Sequence, residues 1–527
     1  MSRTKRAVYG SATTALQYAL QVLMQFALAP MVLQHAGPSA WGAFTVIMQA
    51  ISYLGFLDLG FNLALERYLA NACGLDDQRR RFNLLMSTGR TFLLGVNVTW
   101  AVLVAIVAWK IDWILGLDAK VAVDTVVVND ARLGLLMLAA WGALRTPLVL
   151  AGTALVALQN MAAYNLICTA ANLIRLAGSL FLVWRGWGLV GLMSGNIIAE
   201  VFEKLFCFLL LRSRFPEIEL RWGITDNLLF KEMLNFGSHA MVVSVGMRMM
   251  FYSDNLVVGR VISLAAASTY YSTLMPAQQA WSAISRVVYN SLPAINELYG
   301  QSAFARLREV FIRIHRYNLL MVLPLAAGIV LLNHDVIRVW LKDHAEAQYG
   351  GEWMSVSLAL IAVAITTGAV SYVFVMATGR IREVSYVYLV VGGLKVVVSV
   401  GMAYWVGHGI ASAVSARLGA VTMTTAVATA IMFFYINGRA QREMGLGWGK
   451  FMKESVAPAV AATVLGLPVL WILREQWHPD NLVTLGGVIG VYLLAQGGIS
   501  FWALRSEDRH LVLQQAGAVL GWGRKTA

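Results

Sequence analysis

The chain has 527 residues, of which 58% are hydrophobic and only 13% charged, and its formal net charge is +13. A soluble domain carries about 25% charged residues and under half apolar ones. This composition, with a mean hydropathy of +0.65, excludes an ordinary soluble enzyme and indicates a chain that lies mostly in lipid.

Apolar runs of about 20 residues predict about fourteen transmembrane helices, which leave no room for a large soluble domain. The start of the chain lacks the short apolar stretch and small-residue cleavage site of a signal peptide. The predicted spans lie near residues 11–33, 41–65, 90–112, 133–157, 164–185, 189–212, 234–259, 266–291, 317–340, 353–378, 384–406, 409–436, 455–474 and 483–505.

Charged loops predict the orientation, because cytoplasmic loops of membrane proteins carry an excess of Lys and Arg. Basic residues concentrate at 79–81, 212–231, 306–316 and 439–453. The opposite loops carry acids instead: Asp112, Asp118, Asp124, Asp130, Asp343 and Glu346. We therefore expect a multi-pass protein of the bacterial inner membrane with both termini in the cytoplasm. The same distribution assigns the positive charge to topology rather than to nucleic-acid binding.

Catalytic and metal-binding motifs are not found in the sequence. It contains no Gly-rich phosphate loop, HExxH or GxSxG, and its eight His show no metal-ligand spacing. The four Asp of the longest outer loop recur every six residues, which matches neither a helix face nor a calcium loop. The three Cys form no CxxC motif, so neither a disulfide nor a zinc site is expected. We predict no enzymatic activity, cofactor or metal.

The two halves of the chain look duplicated. The Gly-Ser pairs at 10–11 and 237–238 bring the first helices of the halves into step, and residues 187–192 resemble 408–413. This offset predicts two six-helix bundles, 1–212 and 213–436, related by pseudo-two-fold symmetry around a central cavity. Residues 437–527 add two transmembrane helices and a cytoplasmic tail. No charged residue lies between Ser455 and Leu473, so these helices are expected to face lipid or an apolar ligand.

Charged side chains inside the spans are the most informative residues. A charge facing lipid costs roughly 2.5–3.5 kcal/mol even on the insertion scale, so it should face a water-filled cavity or pair with an acid. Four cations lie near mid-span: Arg145, Arg175, Arg248 and Lys395. With Arg417 they are predicted to bind an anionic headgroup, because a guanidinium donates two parallel hydrogen bonds to phosphate. The alternative is that they only join helices to one another. Arg90 and Arg338, near helix ends, are expected to snorkel.

The intramembrane acids are few: Asp58, Glu200 and Asp254. We predict that they act as ion-pair partners of the buried cations or as sites for a coupling ion. Asp254 lies more than one helical turn from Arg248, so this pair is not assured by the sequence.

A stripe of amides runs along the first helix. Gln17, Gln21 and Gln25 recur at i, i+4 and i+8, and under the duplication Gln25 corresponds to Tyr252. These residues could bind sugar hydroxyls in a cleft, or they could hydrogen-bond between helices. Pro30, late in the same span, predicts a kink.

Six short segments carry a family resemblance. They are residues 53–61 (YLGFLDLGF), 64–68 (ALERY), 254–259 (DNLVVG), 269–271 (TYY), 377–380 (ATGR) and 407–413 (GHGIASA). In this order they resemble Wzx-type flippases of the multidrug/oligosaccharidyl-lipid/polysaccharide exporter superfamily, over residues 7 to 440. Lys395 departs from the uncharged residue expected there.

The resemblance implies an alternating-access flippase for an undecaprenyl-diphosphate-linked oligosaccharide, used in O-antigen or exopolysaccharide assembly. Membrane lipids are expected around the protein, and partner proteins could include a polysaccharide polymerase and a chain-length regulator. Three alternatives stay open: a multidrug antiporter of the same superfamily, a lipid II flippase and a membrane glycosyltransferase or ligase. The antiporter usually has an acid in its first helix, and residues 11–33 contain none.

Overall fold

The computed structural model describes residues 3–58, 61–72, 78–114, 125–158, 160–218, 223, 227–378, 381–406 and 414–519. Regular structure in these residues is helical throughout, with no strand among them. Numbered along the chain, the helices are α1 Arg3–Tyr53, α2 Phe61–Ala72, α3 Gln78–Trp109, α4 Ile111–Ile114, α5 Thr125–Leu144, α6 Leu150–Ala157, α7 Met161–Trp184, α8 Gly188–Arg214, α9 Asn227–Phe251, α10 Ser253–Val261, α11 Leu264–Tyr289, α12 Leu292–Gly300, α13 Phe304–Leu341, α14 Ala345–Gln348, α15 Glu352–Ala377, α16 Ile381–Trp405, α17 Val414–Met444, α18 Trp448–Phe451, α19 Ala457–Trp477, α20 Leu482–Ala503 and α21 Ser506–Val519.

Ten helical segments of the described chain are long and apolar enough to cross a membrane. Every predicted span from residue 90 onward overlaps a helix of the structure, and two shorter apolar helices, Thr146–Ala157 and Met241–Phe251, fall inside predicted spans. The predicted all-α polytopic class is therefore confirmed. The count of fourteen spans, the pseudo-symmetry and the orientation of the termini stay predictions.

The first predicted span, 11–33, and the first part of the second, 41–65, lie on one long helix, α1, which ends at Tyr53 and contains a break. Gly37 has φ +82° and ψ 170°, outside the helical region, and Pro38 follows it directly. A positive φ favours glycine because a Cβ would clash with the backbone there. The break thus lies at Gly37, seven residues beyond Pro30, where the sequence predicts a kink.

The chain folds into two compact units. Unit 1 contains residues 1–271 and 385–408, and unit 2 contains residues 272–384 and 409–527. This partition follows contacts in space, whereas the predicted boundaries at 212 and 436 follow the sequence duplication. The duplication itself stays a prediction.

In unit 1, α7 packs against α1 and α8, and α3 packs against α5. Lipid is as apolar as Leu, so close packing rather than exclusion of water holds such helices together. Small residues make that packing close: a Cβ added at Gly134 of α5 would overlap Met193 of α8, and one at Gly195 would overlap Ser179. A separate apolar core forms around the rings of Phe61, Phe92 and Phe230.

In unit 2, α15 packs between α13 and α17 and is buried along most of its length. The helices share buried polar contacts, of which one joins Asn318 to Thr366 at 3.4 Å. The two long apolar helices near the end of the chain, α19 and α20, pack against α13 through Leu332, Leu470, Val488 and Tyr492. Val464, Leu465 and Leu494 are exposed on these helices, as expected of faces turned toward lipid.

Candidate functional site

A deeply buried ion pair joins two helices of unit 1. The ammonium of Lys395 on α16 contacts Oδ1 of Asp254 on α10, and both side chains are 1% exposed. Lys395 Nζ also donates to Ser253 Oγ at 2.8 Å. Asp254 accepts two further hydrogen bonds, from the Tyr270 hydroxyl at 3.1 Å and from Ser399 Oγ at 3.3 Å. A buried charge is tolerated when it is paired and hydrogen-bonded in this way.

The sequence predicts different roles for these two residues, Lys395 as a substrate contact and Asp254 as an ion-pair or coupling residue. The structure brings them together, so the charge of Lys395 is compensated by Asp254 in this arrangement. Three hydroxyl residues complete the network: Ser253, Tyr270 and Ser399. Sequence reasoning assigned none of them to a site: Tyr270 lies in the family-like segment 269–271, and the two serines carry no periodic or motif signal.

Arg145 and Glu200 form a second ion pair within unit 1. Arg145 Nη1 donates to Glu200 Oε1 at 2.5 Å, and both side chains are about three-quarters buried. The guanidinium also lies 4.9 Å from the ring centre of Trp100, in cation–π geometry. Arg145 follows the last residue of α5, where the chain turns into a short 3-10 segment. Arg145 and Glu200, which the sequence analysis singled out because a charge facing lipid is unfavourable, therefore pair with each other. Trp100 carried no sequence signal.

Arg175 lies midway along α7 and has no ion pair or hydrogen bond with any residue that the structure describes. Its side chain is partly buried, and its Nε is shielded from solvent. An uncompensated cation within a span is unfavourable unless water or an anion reaches it. Among the predicted headgroup ligands, Arg175 therefore carries a charge that no described residue compensates.

Arg248 lies near the end of α9 and contacts the segment with the family-like sequence 53–61. Its Nη1 donates to the carbonyl oxygen of Ser52, and the Tyr53 hydroxyl donates to the carbonyl oxygen of Arg248 at 2.9 Å. A Cβ added at Gly55 would lie 3.3 Å from Arg248 Nη2. Gly55 thus leaves room for the guanidinium beside the backbone of this segment.

The other predicted site residues lie on separate elements. Gln17, Gln21 and Gln25 are partly buried along α1, and Tyr252 is 39% exposed between α9 and α10. Asp58 accepts a hydrogen bond from Asn62 at 2.9 Å. Arg417 is partly buried on α17, which belongs to unit 2. Substrate binding by these residues stays a prediction.

A second network, in unit 2, surrounds Asp335 on α13. Arg474 Nε donates to its carboxylate at 2.8 Å, and Arg338 Nη2 lies 3.3 Å from it. Arg338 also pairs with Asp480 at 3.0 Å. Arg338 therefore makes ion pairs as well as reaching toward solvent. The sequence analysis did not predict these pairs, although Asp335 lies only three residues before Arg338 on α13.

The model of one protein family, described as "Polysaccharide biosynthesis protein", matches residues 86–347, about half of the chain. A sequence comparison with curated proteins finds no significant match.

Solved structures share the fold at low sequence identity. The lipid II flippase MurJ in an inward closed conformation is 12% identical, with a TM-score of 0.65 over 93% of this chain and 98% of that one. An inward-facing multidrug resistance MATE family transporter of the MOP superfamily is 15% identical, with a TM-score of 0.64 over 80% and 95%. A MOP superfamily transporter from Pyrococcus furiosus, described as having a binding pocket of reverse polarity, is 15% identical, with a TM-score of 0.55 over 84% and 96%. The family match and the fold together confirm the predicted resemblance.

Proposed function

We propose, on the premise that this chain is a member of the multidrug/oligosaccharidyl-lipid/polysaccharide exporter superfamily, that it is a flippase. Its proposed substrate is an undecaprenyl-diphosphate-linked oligosaccharide that crosses the bacterial inner membrane by alternating access. The match to a polysaccharide biosynthesis family and the flippase-like fold support this class. O-antigen and exopolysaccharide assembly both use such a substrate, and the proposal includes either pathway.

The uncompensated charge of Arg175 is the observation that carries the choice of substrate. An Arg in the middle of a transmembrane helix, with no ion pair to any residue that the structure describes, favours an anionic ligand. A diphosphate suits the guanidinium because its oxygens accept two parallel hydrogen bonds. A cationic drug would instead be repelled by the same charge.

The other predicted residues take supporting roles in this proposal. Arg248 adds positive charge for the diphosphate or for acidic sugars, and Arg145 does so when the substrate replaces Glu200 in its ion pair. Gln17, Gln21, Gln25 and Tyr252 offer hydrogen bonds to sugar hydroxyls, and Arg417, in unit 2, is proposed as a separate contact for an anionic group. The pair between Lys395 and Asp254 opens during transport in this proposal: a substrate phosphate replaces Asp254 beside Lys395, or a coupling cation replaces Lys395 beside Asp254. Asp58 and Glu200 are the remaining acids for ion pairing or coupling.

A lipid II flippase is the second candidate. The solved lipid II flippase matches nearly the full length of this chain, and a diphosphate-linked glycolipid would use the same cations. The multidrug antiporter is less favoured because residues 11–33, within α1, contain no acid. The two flippases are separated by competition: excess lipid II should slow transport only if it shares the site.

The direct test neutralises Arg175. In cells that depend on this protein for a surface glycan, Arg175→Ala should reduce export strongly. A charge-assisted hydrogen bond is worth about 1.5–3 kcal/mol, so substrate binding should weaken roughly 10- to 150-fold. Arg175→Lys should restore export in part, because it keeps the charge and loses the two-pronged geometry.

Arg185→Ala is the matched control. Arg185 caps the same helix, is exposed, and lies over the ring of Phe181 at 5.8 Å. This variant should export normally. Membrane abundance and thermal midpoint are measured for all variants, and they should not change for Arg175→Ala. Normal export from Arg175→Ala, or an export loss that only follows a loss of protein, would refute the proposed site.

A further inference from the structure

A polar cavity of about 380 Å³ opens in unit 2, separate from the residues discussed above. Three segments form it: the N-terminal part of α13, the residues from α18 to the π-helical turn Met452–Val456, and the start of α21. Its volume lies in the range of sites for small molecules, about 300–1,000 Å³. Five basic and four acidic side chains line it, so it differs from an apolar packing defect.

The floor of the cavity is held by ion pairs and carries an excess positive charge. Asp508, on the first turn of α21, is buried and accepts from Arg316 Nη1 at 2.6 Å and from Arg313 Nε at 3.0 Å. Arg316 Nε in turn donates to the carbonyl oxygen of Glu454 at 2.7 Å. One carboxylate thus faces two guanidinium groups. These contacts also hold α21 in place as a wall of the cavity.

The rim carries two cations with no partner among the described residues. Arg308 on α13 and Lys450 on α18 line the cavity, are exposed, and make no ion pair or hydrogen bond there. Two exposed acids, Glu309 and Glu507, share the rim. Arg505, the fifth basic residue, pairs with Glu454 at 3.1 Å. The rim therefore offers both anion-binding and hydrogen-bond-accepting groups.

The cavity lies beside the end of a transmembrane helix. With 38 residues, α13 is about 57 Å long, which exceeds the hydrocarbon core of about 30 Å by a wide margin. Arg308, Arg313 and Arg316 precede its apolar span at 317–340. The excess length, with its charges, should therefore emerge at the level of the lipid headgroups.

We propose that this cavity binds a phospholipid headgroup through its phosphate. Arg308 and Lys450 would hold the phosphate above the positive floor, as basic pockets between transmembrane helices hold anionic headgroups. Glu309 and Glu507 would accept hydrogen bonds from headgroup hydroxyls or an ammonium group. Free phosphate shares the anionic chemistry, but it lacks the glycerol or amine part of a headgroup that would contact these two acids. The site is independent of the transported substrate.

The test measures lipid binding by the purified full-length protein in detergent. Short-chain phosphatidylglycerol is titrated while the thermal midpoint is followed by Trp fluorescence. Arg308→Gln/Lys450→Gln should bind this lipid about tenfold more weakly or worse, because it loses two charge-assisted contacts. The control is Arg306→Gln/Lys453→Gln, which removes the same charge from exposed positions on the same two segments but outside the cavity lining.

Wild type and the control should give equal dissociation constants, and inorganic phosphate should give no shift where phosphatidylglycerol saturates. Equal affinity of both double variants would overturn the site. An equal response to inorganic phosphate would overturn the assignment to a lipid. If the first double variant fails to fold, Lys450→Gln is compared with Lys453→Gln, and the same readings decide.

Discussion

Breaking the buried pair between Lys395 and Asp254 should destabilise the protein far more than removing both charges together. Lys395→Met keeps the length of the side chain and leaves the Asp254 carboxylate buried with hydroxyl donors only. Asp254→Asn leaves the ammonium with Ser253 and a neutral amide. Removing one partner of a buried ion pair costs about 3–5 kcal/mol, because the other charge stays uncompensated.

The double variant Lys395→Met/Asp254→Asn buries no charge. Its remaining cost comes from hydroxyls that lose their charged partner, chiefly Ser253, Ser399 and Tyr270, at about 1–3 kcal/mol in total. The coupling free energy between the two sites should therefore be about 3 kcal/mol or more. It is obtained from the unfolding free energies of the four proteins in a titration with SDS in mixed micelles. Additive single effects, within about 0.5 kcal/mol, would show that the two charges do not stabilise each other and would refute the reasoning.

Two further predictions concern topology and helix packing. Cys placed at Glu346 or His478, both exposed, should react with impermeant thiol reagents from the periplasm. Cys placed at Arg80 or Arg442 should be protected from the same reagents. Labelling of position 442 from outside would contradict the predicted orientation. Gly42→Ala should lower the thermal midpoint, because its Cβ would overlap the carbonyl oxygen of Leu264. Gly95→Ala meets no atom within 4 Å and should be neutral or slightly stabilising, since Ala favours a helix by up to about 1 kcal/mol; equal effects of the two substitutions would refute this account of the packing.

The sequence by itself determined that this chain lies in lipid and that its fold is all-α. Lipid accepts few charges and requires every backbone group to be hydrogen-bonded within the chain, so long apolar runs can only be helices. The same constraint drew attention to Arg145, Arg175, Lys395, Glu200 and Asp254, because a charge inside such a run needs a partner or water. Each of these residues lies on or directly beside a helix in the structure.

Only the tertiary structure decided which charges meet. Lys395 and Asp254 are separated by 141 positions along the chain, and Arg145 and Glu200 by 55, so no local period links them. Their pairing depends on which faces of the helices are in contact. Between α5 and α8 the close approach depends on a small residue, Gly134, whose packing has no strong sequence signal. The same holds for Asp508. In the sequence it is one acid in a polar tail, and only the structure shows that it pairs with Arg313 and Arg316 of α13. Arg175 differs from these residues because no carboxylate meets it in the part of the chain that the structure describes.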